Sequence, residues 1–534
     1  MKELSGVILT ASKADLAICN VFGNLPSGLI PVNGKPILFY ILNQFYDKGI
    51  KDIYIGVDYR KEKVISVVDN YFSKKLKLTY IHTKKEKGVG NSLLKLLQYI
   101  KNGPACVNLA DTFIKNYSTK LDDIVVSDSF DFSRRWSYVK ADDNLNIDKF
   151  INKKKVSHIN KNLYTIAGVY TFSEIKAFKE LNEYSDKLEI TDLLEFYISK
   201  NNRLTLQLSS DWMDFGHIDN YYSSKKRMIQ SREFNELIYN DFLGTITKKS
   251  RNTEKLKKEI KWYKSLPKNL KVISPRIIKS SIGDDTYIQS EYYSYPPLSE
   301  IWLFSEINEH VIKSIINKLF KIIRLFQSSR KKVSIGDYES IYIEKTNQRL
   351  EVIKNNEIIP LLSKKSIVIN GNKYQSWHSI KDEIFQKVKN LYDINHNCLI
   401  HGDFCLSNIL YDLQSGLFKL IDPRGSFGQN ENGDIKYDIA KLRHSICGDY
   451  DYIMADLFVI EKKSKNELQF TIFSKNRKNI KKYFDHIVSR EFNLKQIKLI
   501  EGLLFLSMIP LHSDNANRQL IMFARGIKLL NQVL

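Results

Sequence analysis

Apolar residues follow two alternating rhythms through the first part of the chain. Residues 6–10, 52–57, 78–82 and 106–110 are apolar runs of strand length, bounded by polar or turn residues. Between them, 36–48, 64–72 and 88–101 carry apolar positions at helical spacing. Strands separated by helices of this length predict a largely parallel sheet with ligands at the strand ends. The rhythm stops near Lys225, where the charged run Lys225-Lys226-Arg227 begins.

A different arrangement follows. Residues 236–239 and 245–248 predict two strands of a hairpin, 253–265 a helix and 286–292 another strand. The remainder predicts helices, apart from 399–422 and a short hairpin around Asn370-Gly371. With 534 residues and no long low-complexity linker, two domains are expected. They are placed at 1–228 and 233–534, the second with a small lobe over about 233–295 and a helical lobe over about 296–534.

Composition narrows the classes. Hydrophobic content of 43% is ample for globular cores. The most apolar stretch, 499–511, is interrupted by Glu501 and Pro510, so no transmembrane segment is expected. The first residues lack the apolar region of a signal peptide, and a cytoplasmic location is expected. Cys19, Cys106, Cys398, Cys405 and Cys447 are scattered without a CxxC pair, which argues against a disulfide framework or a zinc site. The net charge of +22 is mostly lysine in short groups diluted by acids. That form predicts no specific nucleic-acid partner, and leaves weak association with an anionic membrane surface or polysaccharide machinery open.

The chemistry concentrates in His401-Gly402-Asp403-Phe404-Cys405-Leu406-Ser407-Asn408-Ile409-Leu410 and in Phe418-Lys419-Leu420-Ile421-Asp422-Pro423. Asp403 is suited to orient a substrate hydroxyl and accept its proton. Asn408 offers a neutral oxygen to magnesium, and Asp422 a carboxylate that bridges metal to ATP phosphates. Phosphoryl transfer needs little beyond such positioning and charge neutralisation. There is no GxxxxGK[ST], which excludes a P-loop enzyme.

Over about residues 233–534 these motifs resemble the aminoglycoside phosphotransferase and choline kinase superfamily, which has an α+β protein-kinase-like fold. The resemblance implies Asp403 as catalytic base, Asn408 and Asp422 as magnesium ligands, and His401 as a structural member of the catalytic loop. It implies that Asp438 steadies that loop through backbone hydrogen bonds, a role compatible with a helix N-cap. Lys248, preferred over Lys249, becomes the ATP-contacting lysine and Glu259 its helix partner. Glu291 and Tyr292 fall in the hinge that holds adenine by backbone groups. Arg424 is open to two readings, a phosphate or anionic-substrate contact and a structural ion pair. His444, His512 and Asp514 are candidates for the acceptor pocket. Magnesium and ATP are the implied cofactors.

The N-terminal residues Ser5–Ala11 and Leu29-Ile30-Pro31-Val32-Asn33-Gly34-Lys35-Pro36 resemble sugar-phosphate nucleotidyltransferases, which have an α/β Rossmann-like core. In the same order follow Gly88-Val89-Gly90-Asn91-Ser92 at the nucleotide, Asp111 at magnesium, Leu188-Glu189-Ile190-Thr191-Asp192 at the sugar site, and Trp212-Met213-Asp214 with a second magnesium-binding carboxylate. The loop Ala11-Ser12-Lys13-Ala14-Asp15-Leu16 has no glycine or arginine, and Ser27 stands where the family has a lysine. Lys13 stands in for one lost cation, and Lys153 or Lys154 for a sugar-phosphate lysine. Two readings stay open. One is a bifunctional enzyme that phosphorylates a sugar, polyol or amino alcohol and couples the phosphate to a nucleotide from CTP, UTP, GTP or dTTP, for capsule or lipopolysaccharide synthesis. The other is a kinase carrying a degenerate binding domain.

Overall fold

The structure is a computed structural model whose described residues are 3–83, 88–101, 103–128, 135–153, 162–181, 187–228, 235–428, 430 and 432–534. Lys154 and the expected domain join at 229–233 lie outside them. The chain divides into two compact units, Met1–Met228 with Phe304–Glu306, and Ile229–Leu303 with Ile307–Leu534.

The first unit is an α/β domain built on a nine-stranded sheet. Ser5–Leu9 lies at its centre, parallel to Asp52–Val57 on one side and Ala105–Leu109 on the other, with Lys77–His82 parallel beyond Asp52–Val57. The central strands Ser5–Leu9 and Ala105–Leu109 are buried almost throughout, and helices Ile37–Asp47 and Gly88–Tyr99 each bury an apolar stripe within the unit. Past Ala105–Leu109 the sheet is not parallel as expected. Leu163–Phe172 runs antiparallel to it, and pairs antiparallel with both Asp123–Ser127 and Tyr138–Ala141. A parallel neighbour needs a crossover of a dozen or more residues, usually a helix. No helix is described between Ala105–Leu109 and Leu163–Phe172, and short strands return the chain instead.

The second unit opens with a four-stranded antiparallel sheet in the order Asn235–Asn240, Thr245–Ser250, Tyr287–Glu291, Ile277–Ser281. Helix Thr253–Ser265 follows the second strand, starting from an Asn252 side chain that accepts the Lys255 N–H. The rest is carried by helices, among them Glu309–Gln327, Ile435–Ile446, Leu494–Met508 and Ala516–Asn531. A second four-stranded sheet was not expected. The hairpin Ser366–Ile369 and Asn372–Gln375 is extended by Glu467–Ile472 and Phe458–Ser464. Among the described residues no helix is long and apolar enough to cross a membrane, and all five cysteines are free.

Candidate functional sites

In the second unit a ladder of two short strands, Ile409–Tyr411 and Phe418–Leu420, fixes the motif. The segment ahead of it carries Asp403 and Asn408, and the one after it carries Asp422 at φ +54°. Two backbone bonds lace them together. Ile421 N–H donates to the Asn408 carbonyl (3.0 Å), and Arg424 N–H to the His401 carbonyl (2.9 Å). The Asn408 amide nitrogen donates to both the Asp403 carbonyl (3.0 Å) and its carboxylate (2.8 Å). That leaves the Asn408 amide oxygen as the atom for a cation.

Asp438 clamps the loop from below. Its two carboxylate oxygens accept the N–H groups of His401 (2.7 Å) and Gly402 (2.8 Å). It lies in the first turn of helix Ile435–Ile446 and is not the N-cap. That position belongs to Asp434, whose side chain accepts the Lys436 N–H. Burial raises the Asp438 carboxyl to about 7, while the two N–H bonds pull the other way. Burial likewise holds the His401 imidazole down at about 4, so it is neutral at pH 7.

Lys248 joins this loop to the small sheet. Its ammonium bonds the Glu259 carboxylate (2.8 Å) and the Asp422 carboxylate (2.6 Å). Burial works against the ammonium, but Asp422 and Glu259 outweigh it and raise the group further. Lys249 points the other way along the strand, to Asp285 at 2.9 Å. Gly425, at φ +73°, lets the segment after Asp422 approach the helix backbone, since a Cβ there would lie 2.4 Å from the Lys258 carbonyl carbon.

The N–H groups of Glu291 and Tyr292 are spent on the Arg276 and Gly244 carbonyls, so as donors to adenine they are occupied. Glu291 also accepts the Tyr293 hydroxyl. Of the acceptor candidates, His444 is fully buried, stacked on Tyr450 at 3.9 Å and packed on Phe505, and feels the charges of Lys441, Asp403 and His512, whereas Asp514 pairs at the surface with Arg518. Arg424 forms no ion pair among the described residues. Its guanidinium donates to the Tyr437 hydroxyl at 3.0 Å.

The sequence reading missed Lys441. Its ammonium sits 2.9 Å from the Asp403 carboxylate. Burial alone would raise the Asp403 carboxyl, but Lys441 overrides this and holds it well below the usual carboxylate range. Lys441 lies three residues after Asp438 and four after Tyr437, on one helix face. That spacing was the available signal.

In the first unit Asp111 follows strand Ala105–Leu109, and Asp214 ends strand Trp212–Asp214. The antiparallel pairing of Trp212–Asp214 with Thr112–Ile114 sets Asp214 opposite Thr112, and Phe215 N–H donates to the Asp111 carbonyl (2.9 Å). Burial, then the Asp214 charge, raises Asp111 to about 6. Asp214 accepts from Gly216 N–H (3.0 Å) and Asn220 (3.1 Å) and contacts His217 Nδ1 at 3.0 Å. A buried and a partly buried carboxylate set together in this way fit a divalent cation.

Beside them lies a cavity of about 240 Å³, whose lining includes Asp111, Asp214, Lys153, Glu189, Trp136 and Trp212. Lys153 pairs with Glu189 at 3.1 Å inside it, and the Trp136 and Trp212 rings meet edge to face at 4.9 Å. Burial would raise Glu189, but Lys153 and Lys187 bring it below its usual value. Lys13 lines an adjoining cleft of about 530 Å³ with Asp111 and Lys153. The loop bearing Lys13 is stitched shut: Ser12 donates to Ser27 (2.9 Å), Ser27 N–H to the Ser12 carbonyl (2.9 Å) and Ala14 N–H to the Leu25 carbonyl (2.9 Å). Gly90 is accounted for by packing, because a Cβ there would lie 2.4 Å from the Glu189 carbonyl oxygen.

Residues 24–231 match the sequence model of the Nucleotidyl transferase family. A UTP–glucose-1-phosphate uridylyltransferase, AglF of Haloferax volcanii, is 30% identical over 97 residues, covering 18% of this chain and 39% of that protein. A D-glycero-alpha-D-manno-heptose 1-phosphate guanylyltransferase of Campylobacter jejuni is 29% identical over 105 residues, covering 19% and 45%. The matched segments thus span less than half the length of these relatives. The solved structure of HddC from Yersinia pseudotuberculosis aligns at 19% identity and a TM-score of 0.35, covering 42% of this chain and 99% of that one.

Proposed function

We propose that the chain is a bifunctional activating enzyme: its second unit transfers the γ-phosphoryl group of ATP to a hydroxyl of a small molecule, and its first couples a sugar-type phosphate to a nucleotide. The observation that carries the first half is the Lys248 ammonium bonded at once to Glu259 and Asp422, with Asp403 and Asn408 bonded to each other on the adjoining loop. These supply the parts that a phosphoryl-transfer site needs: a phosphate cation, two hard oxygen donors and a base.

In the proposed reaction the acceptor oxygen attacks the γ-phosphorus and the bond to the β–γ bridging oxygen breaks, releasing ADP. Asp403 takes the hydroxyl proton. With Lys441 holding its charge, Asp403 stays a carboxylate and orients that hydroxyl rather than acting as a strong base. Lys248 leaves Asp422 for the ATP phosphates. Asn408 and Asp422 would hold magnesium, which when bound neutralises phosphate charge. Adenine is left to the segment after Tyr292, since the two preceding N–H groups are used.

For the first unit, the family match, the uridylyl- and guanylyltransferase relatives and the Asp111–Asp214 pair support nucleotidyl transfer to a sugar 1-phosphate. Asp111 and Asp214 would hold magnesium, and Lys153 with Glu189 the sugar phosphate. The second reading, a kinase with a degenerate binding domain, is favoured by one feature. Ser12 and Ser27 hydrogen-bond to each other, and the Ser27 and Ala14 N–H groups are committed, in the loop where a triphosphate needs cations and free N–H groups. ATP consumption with magnesium across sugars, polyols and amino alcohols, compared with Asp403→Ala, tests the kinase. Pyrophosphate release from the four nucleotides with the phosphorylated product decides between the two readings.

A further inference from the structure

Behind Asp403 stands a cluster of cations of which, among the described residues, only Lys441 meets a carboxylate. Lys345 and Arg424 both donate to the single hydroxyl oxygen of Tyr437, each at 3.0 Å. The Arg424 guanidinium also lies 6.0 Å from the Tyr437 ring centroid. Arg349, one helical turn beyond Lys345, feels the charge of Arg424 and lies close enough to sense Tyr437. Lys441, four residues after Tyr437, completes the group and touches Asp403 at 2.9 Å. Among the described residues Lys345, Arg349 and Arg424 form no ion pair with a carboxylate.

Like charges held this close and partly shielded from water are costly unless something neutralises them. Burial, then Arg424, depresses the Lys345 ammonium, to about 8. Burial works to raise the Tyr437 phenol, but Lys345, Arg424 and Lys441 outweigh it and bring the group down to about 8. At pH 7 the phenol is still mostly protonated, so it leaves the positive charge uncompensated. The strained charge belongs to the ligand-free protein, and an anion would relieve it.

We infer that the Lys345–Arg349–Arg424 cluster binds an anionic group carried by the phosphoryl acceptor, so that the acceptor is a hydroxy compound already bearing a phosphate or a carboxylate. Lys441 separates the two ends of such a molecule, with the hydroxyl at Asp403 and the anion at the cluster. Arg424 is tied to the catalytic loop through its N–H bond to His401, so the anion site and the base keep a fixed spacing. The inference rests on the phosphotransferase reading for the identity of the ligand, but the anion site itself is testable without catalysis.

Tyr437 is the reporter. The full chain and its Tyr437→Phe variant are titrated from pH 6.5 to 9.5 at 295 nm, and the difference isolates this phenolate. The titration is repeated in sodium phosphate, sodium acetate and sodium chloride at equal ionic strength. A bound anion opposes formation of the phenolate, so phosphate or acetate should move half-ionisation to higher pH by about one unit relative to chloride. Arg349→Met should abolish that shift. Which of phosphate and acetate acts names the anionic group. Identical titrations in all three salts would overturn the anion site.

A second arm follows ATP consumption with neutral, phosphorylated and carboxylated hydroxy compounds. Turnover should be confined to the anionic ones, and Arg349→Met should raise KM about tenfold or more while kcat changes little. Turnover of a neutral acceptor with KM unchanged in Arg349→Met would overturn the inference. If the spectral shift is present and no compound is phosphorylated, the anion site stands and the phosphotransferase reading fails.

Discussion

Lys441 sets what Asp403 can do, because a carboxylate next to an ammonium stays ionised even where burial would protonate it. Replacing Lys441 by Met removes the largest part of that support and leaves the Asn408 bond to oppose burial. The Asp403 carboxyl should then titrate higher than in the wild type. Because the carboxylate is the form that accepts the hydroxyl proton, the rate falls as pH drops through its pKa. The acid limb of the pH–rate profile of ATP-dependent phosphorylation should therefore move to higher pH in Lys441→Met, into the range where the wild type is flat. An unmoved limb would separate Lys441 from the ionisation of Asp403. At this scale the sequence was readable where chemistry repeats a spacing. Asp403, Asn408, Asp422, Lys248, Glu259 and Asp438 stand out because the resemblance supplies their order, and the structure shows Lys248 bonded to Glu259 and Asp422, Asn408 bonded to Asp403, and Asp438 bonded to the backbone of the same loop. Lys441, Lys345 and Arg349 were hidden among 82 lysines and arginines, where only three-dimensional proximity separates a site cation from a solvated one. Of the two readings of Arg424, the ion pair is not found among the described residues, where its guanidinium donates to the Tyr437 hydroxyl instead.

Elements were legible where apolar periodicity stood alone and obscured where charge overlay it. The helix Thr253–Ser265 and the strand Asp52–Val57 coincide with their predicted bounds. The hairpin of Phe458–Ser464 and Glu467–Ile472 was missed, because its turn at Lys465-Asn466 has no glycine and its exposed positions are charged. The buried alternation Phe458, Leu468 and Phe470 is visible only once the charged positions are set aside. Close packing between elements also escapes sequence. At Gly90 the start of helix Gly88–Tyr99 presses on the backbone before helix Ile190–Ser199, with no room for a methyl group. Gly90→Ala should displace that contact and cost about 1–3 kcal/mol of stability, read as a lower urea midpoint at unchanged slope. In the second unit, helices Ile435–Ile446, Lys478–Glu491 and Leu494–Met508 are locked by Arg443, which bonds Asp485 through two nitrogens at 2.8 Å each and also Glu501. Arg443→Met strands two carboxylates, one of them fully buried, and should cost about 3–5 kcal/mol. Adding Glu501→Gln to that variant should recover part of the loss, since it removes one of the stranded charges. A loss that Glu501→Gln leaves untouched would assign the cost to packing instead.

For the whole molecule, the proposal of two chemistries in one chain makes a claim that neither unit makes alone: each reaction should be removable without the other. The carboxylates in question belong to different units, Asp403 to the second and Asp214 to the first. Asp403→Asn keeps the side-chain volume and removes the proton acceptor, so phosphorylation from ATP should fall about a hundredfold or more. Nucleotidyl transfer, supplied with the ready-made phosphorylated compound, should continue at the wild-type rate. Asp214→Asn should do the reverse. It weakens the paired-carboxylate cation site beside Asp111, lowering pyrophosphate release by a similar factor while ADP formation is unchanged. If the acceptor already carries an anionic group, as the cations around Tyr437 imply, the substrate of the second unit and the ligand of the first share a requirement for negative charge. The compound phosphorylated at Asp403 should then also be recognised at Lys153 and Glu189. Full ADP formation in wild type, without pyrophosphate release under any of the four nucleotides, would leave the first unit as a binding domain. The hydrogen-bonded Ser12 and Ser27 would then mark where its catalytic loop was lost. Pyrophosphate release that Asp214→Asn abolishes would instead mean that Lys13 and Lys153 suffice for a triphosphate despite the closed loop. The nucleotide that supports release would name the activated product.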